Sequence, residues 1–351
     1  MNPLSKLIRD WFIGIAAGWN NFWFTPSQPH TLALVRICGG AMLFYTHAVW
    51  TLRLGDFLGP NSWLNADTSA LLNRSPSGAN YAWSYLYYIE SPALLWALHF
   101  AGLIVFAMLT VGWYTRVVSV LAWIISVSYV NRLMGTLFGL DQINVFIAMY
   151  LMVGDSGGVW SVDRWLATRK EHWRDASGTQ PWFASRPTAT RIDTNIAIRL
   201  LQLHMCVIYL FGGIHKMRGE TWWDGSALWY AFASLEYQSI DMLWTAKHRW
   251  LLATLTHVTV FWETFYCFLV WPKLTRPICL AMAVAVHAGI GLFLGMKTFG
   301  LVMIVGNLAF VYPETVAALA AWFSGLGTAK SKATVQAGVA PRGSLAVAAT
   351  R

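Results

Sequence analysis

The chain has 351 residues, 56% of them hydrophobic and 12% charged, with a mean hydropathy of +0.47. Soluble globular domains carry about 25% charged residues, so this balance, together with 21 tryptophans, excludes an ordinary water-soluble protein. The net charge of +9 comes with no basic cluster interleaved with aromatics, so nucleic acid is not expected as a partner and the excess Lys and Arg read as membrane topology.

Residues 1–30 open with "MNPLSKLIRDWFIGIAAGWNNFWF", in which Lys6 and Arg9 precede an apolar stretch crowded with Trp and Phe. No small-x-small cleavage site follows, so the stretch predicts a retained amphipathic helix lying in the membrane interface. Residues 31–313 then carry eight apolar runs: Leu32–Thr51, Ala93–Trp113, Val117–Leu137, Gln142–Val153, Asp193–Ile214, Leu251–Trp271, Ile278–Met296 and Phe299–Tyr312. No alternating polar and apolar strand pattern recurs. The expected fold is therefore all-α, a polytopic transmembrane helical bundle of about eight spans with interfacial helices.

Between the runs, the turn-rich segment Arg53–Glu90 predicts an interfacial cap. The hydrophilic segment 155–191 has Pro181 and Pro187 set against a long helix. Residues 314–351 predict a short helix followed by a disordered cytoplasmic tail, Ala- and Gly-rich and weakly patterned. With the N-terminus in the cytoplasm, 15 Lys and Arg fall on that side and seven on the other. The positive-inside rule then places both termini of a multi-pass cell-membrane protein in the cytoplasm. Cys38, Cys206, Cys267 and Cys279 all sit in apolar runs and read as buried thiols.

Ionisable residues inside apolar runs are costly, about 2.5–3.5 kcal/mol for an arginine on insertion scales, so they are expected to face the bundle interior. Arg36 and Glu263 are the candidates for structural intramembrane charges, each expected to have a charged or strongly polar partner, such as the other. His47, His99, His204, His215, His257 and His287 are spaced neither as HxxH nor as HExxH. No metal is therefore expected, and most of these histidines read as neutral hydrogen-bonding groups. Lys216 ends an apolar run and is followed by Trp222, Trp223 and Asp224. It can snorkel to water, or a dry tryptophan-lined pocket can favour its neutral amine, a base near neutral pH. A carboxylate such as Asp224 would instead favour an ion pair.

The segments "LALVRICGGAMLFY", "GWYTRVVSVLAWIISVSYVNR", "WSVDRWL", "IYLFGGIHKMRGETWWDGSALWYAF" and "HAGIGLFLGMKTFGLVMI" resemble the HTTM domain. That domain is the transmembrane module of vitamin K-dependent γ-glutamyl carboxylases and their bacterial relatives. The resemblance runs from about Phe22 to Pro313. It implies Lys216 as the general base that deprotonates reduced vitamin K or another quinol, with His287 lining the same region and His215 standing where the carboxylases have a second lysine. It also implies carbon–carbon lyase chemistry and a membrane lipid or quinol as the partner, and leaves room for a protein partner. The alternative is a non-catalytic lipid- or partner-binding membrane module. The enzyme reading requires Lys216, His215, Asp224 and His287 to converge on one cavity; the binding reading expects them dispersed or paired off.

Overall fold

The computed structural model describes residues 3–74, 81–174, 189–323 and 325. Among these residues the regular elements are all helices, and an isolated β-bridge joins Ser27 to Arg191. The expected break at Pro181 and Pro187 and the expected tail past residue 325 lie outside the described residues.

Helix α1 (Pro3–Phe24) buries none of its residues and leaves Leu7, Trp11, Phe12 and Trp19 exposed. Its last turn is tied to the bundle, because Asn195 Nδ2 donates to the carbonyls of Phe22 and Trp23 at 2.8 and 2.9 Å. The core lies between α2 (His30–Trp50), α5 (Pro92–Val111), α6 (Thr115–Arg132), α7 (Gly139–Val153), α9 (Ile192–Lys216), α12 (Arg249–Leu269), α13 (Arg276–Phe293) and α14 (Lys297–Asn307). It is filled by Leu32, Phe106, Ile147, Leu201, Tyr266 and Phe310, among others.

Among the described residues four stretches are long and apolar enough to cross a membrane: His30–Leu58, Pro92–Val111, Ile192–Lys216 and Arg276–Phe293. A fifth crossing is available if Lys297–Phe310 and Pro313–Phe323 count as one span bent by 112° at the break between them. The all-α bundle is thus observed, whereas the expected eight spans reduce to four or five on this measure. The reasons are local. Helix α7 is apolar but has 15 residues, about 22 Å at the helical rise, against a hydrocarbon core of about 30 Å. Helix α6 has only 18 residues and counts Arg116, Asn131 and Arg132 among them, and α12 carries Arg249, His257 and Glu263.

Arg53–Glu90, expected as a cap, forms short helices α3 (Leu54–Leu58) and α4 (Ala66–Leu72) and a 3-10 turn at Tyr85–Tyr88. It closes the end of α6, whose last carbonyls have no partners within the helix. Ser84 Oγ donates to Ser128 O, Ser69 Oγ to Arg132 O and Asn73 Nδ2 to Asn131 O, each at 2.8 Å.

The opposite end of α6 is fastened by Arg36, which is fully buried on α2. Its Nη1 donates to Ser156 O at 2.9 Å and its Nη2 to Trp160 O at 2.5 Å. Asp163, in the first turn of α8 (Val162–Arg174), accepts from Tyr114 N, Thr115 N and Thr115 Oγ1 at 2.7–2.8 Å. The turn between α5 and α6 passes beneath this knot. Gly112 there has φ +73°, and an added Cβ would lie 2.4 Å from Arg36 Nη1. Only glycine suits both the left-handed backbone and the contact. Tyr114 and Trp160 also take positive φ, 48° and 49°, a strained choice that the surrounding hydrogen bonds hold in place.

Candidate functional site

The face of α9 that carries Lys216 starts two turns earlier. Tyr209, Gly213 and Lys216 fall at i, i+4 and i+7, the spacing of one helical face. Gly213 is buried, and a Cβ on it would stand 2.5 Å from Thr264 Oγ1 and 2.7 Å from Thr264 N. Its missing side chain lets the backbones of α9 and α12 touch. Glu263 is thereby brought to Lys216, with Nζ 2.5 Å from Oε2. The carboxylate side chain is 8% exposed and the ammonium side chain 28%, so the pair sits at the edge of the bundle with its anion inside. Trp222, from α10 (Glu220–Trp223), covers the ammonium with its ring centroid 5.5 Å from Nζ, a cation–π contact.

Behind the pair, α13 (Arg276–Phe293) and α14 (Lys297–Asn307) supply a buried polar chain. His287 Nε2 lies 2.7 Å from Tyr209 Oη. Asn307 Nδ2 donates to Tyr209 Oη at 2.8 Å, and Asn307 Oδ1 accepts from Tyr266 Oη at 2.6 Å. Tyr209 Oη thus accepts from Asn307 and shares one further proton with His287 Nε2, the direction being set by the imidazole tautomer. His287 Nδ1 is buried and has no hydrogen-bond partner among the described residues. Trp262, next to Glu263 in sequence, packs on Tyr209 and on His287 with ring centroids 5.0 and 6.4 Å apart, so the ion pair and the polar chain adjoin one cluster of rings.

The structure therefore brings together Lys216, Glu263, Trp222 and, one layer deeper, His287. It leaves out three other candidates. His215 is exposed, rotated about 100° from Lys216 on the helix. Trp223 is 65% exposed and donates its indole N–H to Met217 O at 2.6 Å. Asp224 is exposed and accepts from Ser226 N at 2.8 Å, and hydrogen bonding from Ser226 holds its carboxyl below the usual carboxylate range. Nor do Arg36 and Glu263 pair with each other, as the sequence had suggested. Arg36 is taken up by the carbonyls of the Ser156–Trp160 turn, and Glu263 by Lys216.

The sequence reading missed Tyr209, Tyr266 and Asn307. Tyr209 was within reach, since it stands seven residues before Lys216 on the same helical face. Tyr266 and Asn307 join only through the packing of α12 on α14, which no local spacing announces. The remaining histidines follow the hydrogen-bonding reading: His99 bridges Tyr129 Oη and Thr51 Oγ1, and His204 meets Tyr150 Oη at 2.8 Å. Among the described residues no three His, Cys, Asp or Glu side chains gather to hold a metal ion.

No family model matches the chain, and no solved structure matches it. Two proteins of Bacillus subtilis (strain 168) are similar. The uncharacterized protein YitO is 23% identical over 208 residues, covering 57% of this chain and 61% of YitO. The sporulation-delaying protein SdpB is 21% identical over 222 residues, covering 62% of this chain and 64% of SdpB. The chain thus spans somewhat over three fifths of the length of either relative.

Proposed function

We propose that this chain is an integral membrane protein of the HTTM, carboxylase-like type that takes a lipid-soluble quinol, or a lipid of similar shape, at the Lys216–Glu263 pair. The observation that carries this reading is the 2.5 Å contact between an ammonium at the bundle edge and a buried carboxylate, under the ring of Trp222. In this pairing the proton acceptor is the Glu263 carboxylate. Glu263 can accept a hydroxyl proton at Oε2 while the Lys216 ammonium, released from its carboxylate, holds the charge left on the oxygen. The free-base role that the resemblance implies for Lys216 is in this reading divided between two residues. Trp222 offers a flat apolar wall for a ring, and Tyr209 and His287 position the pair from behind. Reduced vitamin K or another quinol would supply the reactive hydroxyl. In this proposal the protein is a multi-pass cell-membrane protein with both termini in the cytoplasm, and a reporter fused after residue 174 should read out there.

A binding module without chemistry is the second reading. It is favoured by His215, Trp223 and Asp224, none of which joins the pair.

The test uses the full chain in vesicles with reduced naphthoquinone, a Glu-containing peptide and labelled carbon dioxide. Quinol turnover should fall about 10²–10⁴-fold in both Lys216→Ala and Glu263→Gln, the range of general acid–base catalysis. Turnover that survives either substitution removes that residue from the mechanism. Quenching of tryptophan fluorescence by the quinol without any turnover in the wild type assigns the binding module, and incorporation of label decides whether the chemistry extends to carboxylation.

A further inference from the structure

Away from the Lys216–Glu263 pair, a polar cavity of about 430 Å³ opens where the end of α1, the first turns of α9, the start of α13 and the bend at Pro313 meet. Its charged walls are Arg199, Arg276 and Glu314, with Asn195, Gln202 and Tyr312 between them. Both guanidiniums are fixed on one side. Arg199 donates from Nε to Phe22 O at 3.2 Å and from Nη1 to Gln202 Oε1 at 2.9 Å, and packs over the Phe22 ring at 4.6 Å. Arg276 donates from Nε to Val270 O at 3.0 Å and from Nη2 to Trp271 O at 2.7 Å, and packs over Tyr312 at 4.5 Å.

These bonds satisfy the carbonyls at the ends of α1 and α12, which is the ordinary work of an arginine near a helix C-terminus. They do not account for the rest of the arrangement. Both cations line the one cavity. Among the described residues neither makes an ion pair, and Glu314 lies beyond 4.0 Å of both. Arg199 Nη2 and Arg276 Nη1 keep donors that no described residue takes up. Two like charges held side by side at the wall of a polar cavity, with donors to spare, form a receptor for an anion.

The surroundings identify the anion's carrier. Asn21 and Thr25, at the end of α1, line the same cavity, and α1 leads away from it with Leu4, Leu7, Ile8, Trp11 and Phe12 exposed. An apolar, Trp-bearing surface continuous with a basic cavity matches acyl chains joined to a phosphate, and basic pockets between membrane helices bind such headgroups. We propose that this cavity seats the headgroup phosphate of an anionic phospholipid between Arg199 and Arg276. The two arginines and Glu314 leave the cavity one positive charge in excess, which a phosphodiester with an uncharged headgroup cancels.

The test measures lipid retained by the purified full chain after incubation with phosphatidylcholine vesicles containing phosphatidylglycerol, read by native mass spectrometry. Wild type should retain phosphatidylglycerol in preference to phosphatidylcholine. Arg199→Gln and Arg276→Gln should each lower that preference about fivefold, the effect of one basic side chain near an anionic lipid. Because both arginines also cap helix ends, Glu314→Gln provides a variant that spares the caps, and it should raise retention. Equal retention of the two lipids by wild type overturns the proposal. So does a fall in retention in Glu314→Gln, which would mean that Glu314 grips the amine of a zwitterionic headgroup. Displacement of phosphatidylglycerol by millimolar inorganic phosphate would assign the cavity to a free anion and overturn the lipid.

Discussion

Arg36 and Lys216 are both cations that the chain carries into its helical bundle, and they are accommodated in opposite ways. Arg36 is fully buried and meets two backbone carbonyls, while the nearby Asp163 is occupied by the α5–α6 turn. Lys216 stays 28% exposed and meets a single carboxylate. A carbonyl dipole cannot take up a proton, whereas a carboxylate can. The first arrangement is a fastening between α2, the α5–α6 turn and the residues before α8. In the proposed function the second is a place where a proton can be passed and where an incoming oxygen can find a cation.

The largest effects are expected at the fastening. Arg36→Met abandons the carbonyls of Ser156 and Trp160, at about 1–3 kcal/mol for each unsatisfied group. Gly112→Ala adds a left-handed alanine and a collision with the guanidinium, at about 1–3 kcal/mol for the backbone alone. Both should lower the melting temperature of the purified protein sharply. Neither should change which quinol it binds in whatever fraction stays folded. An Arg36→Met protein that melts with the wild type would show that the knot does not hold the bundle.

At the Lys216–Glu263 pair the two partners should differ in stability. Removing Lys216 strands a carboxylate that is 8% exposed, whereas removing the charge of Glu263 leaves an ammonium that already reaches solvent. An uncompensated buried charge is the costly case. Lys216→Met should therefore destabilise more than Glu263→Gln, by about 1 kcal/mol or more. Equal melting temperatures for the two variants would place both charges in the same environment and undo the edge-and-interior description.

How much of this contrast could be read from the sequence depends on how local its cause is. Apolar runs marked most of the long helices, and the motif "WSVDRWL" stood out, but its partners Arg36, Gly112 and Tyr114 come from two other segments. The glycine pair before His215 was visible as letters only. Its meaning, a close approach of α9 to α12, appears once Thr264 is seen against Gly213. Lys216 was singled out for its position at the end of an apolar run. Its partner was sought nearby at Asp224, but the contact lies 47 residues away at Glu263, on another helix. The count of eight spans is not matched by length and apolarity where charged and strongly polar residues enter α6 and α12 and where α7 runs short.

Tyr209→Phe should have a moderate effect. It removes the hydroxyl that joins His287 to Asn307 and leaves His287 with both ring nitrogens unpartnered. The expected cost is about 1–3 kcal/mol in thermal or denaturant unfolding. If the polar chain positions the ion pair, quinol turnover should also fall in the folded variant while quinol affinity holds. A variant that loses stability and keeps full turnover would make the chain a packing feature alone.

The smallest effect is expected at His215, and it sharpens the comparison most cheaply. The resemblance places His215 beside the base, yet helical geometry turns it about 100° away from Lys216, and its side chain is exposed. Exposed positions away from special contacts usually change stability by no more than about 0.5 kcal/mol. His215→Ala should therefore melt with the wild type and bind reduced naphthoquinone within about twofold of it. The direction of any departure carries information. A tenfold loss of affinity or turnover with unchanged melting would mean that the substrate reaches round the end of α9 to touch His215. The site would then have to extend beyond Trp222 onto the outer face of the helix, and the ion pair would be one side of it.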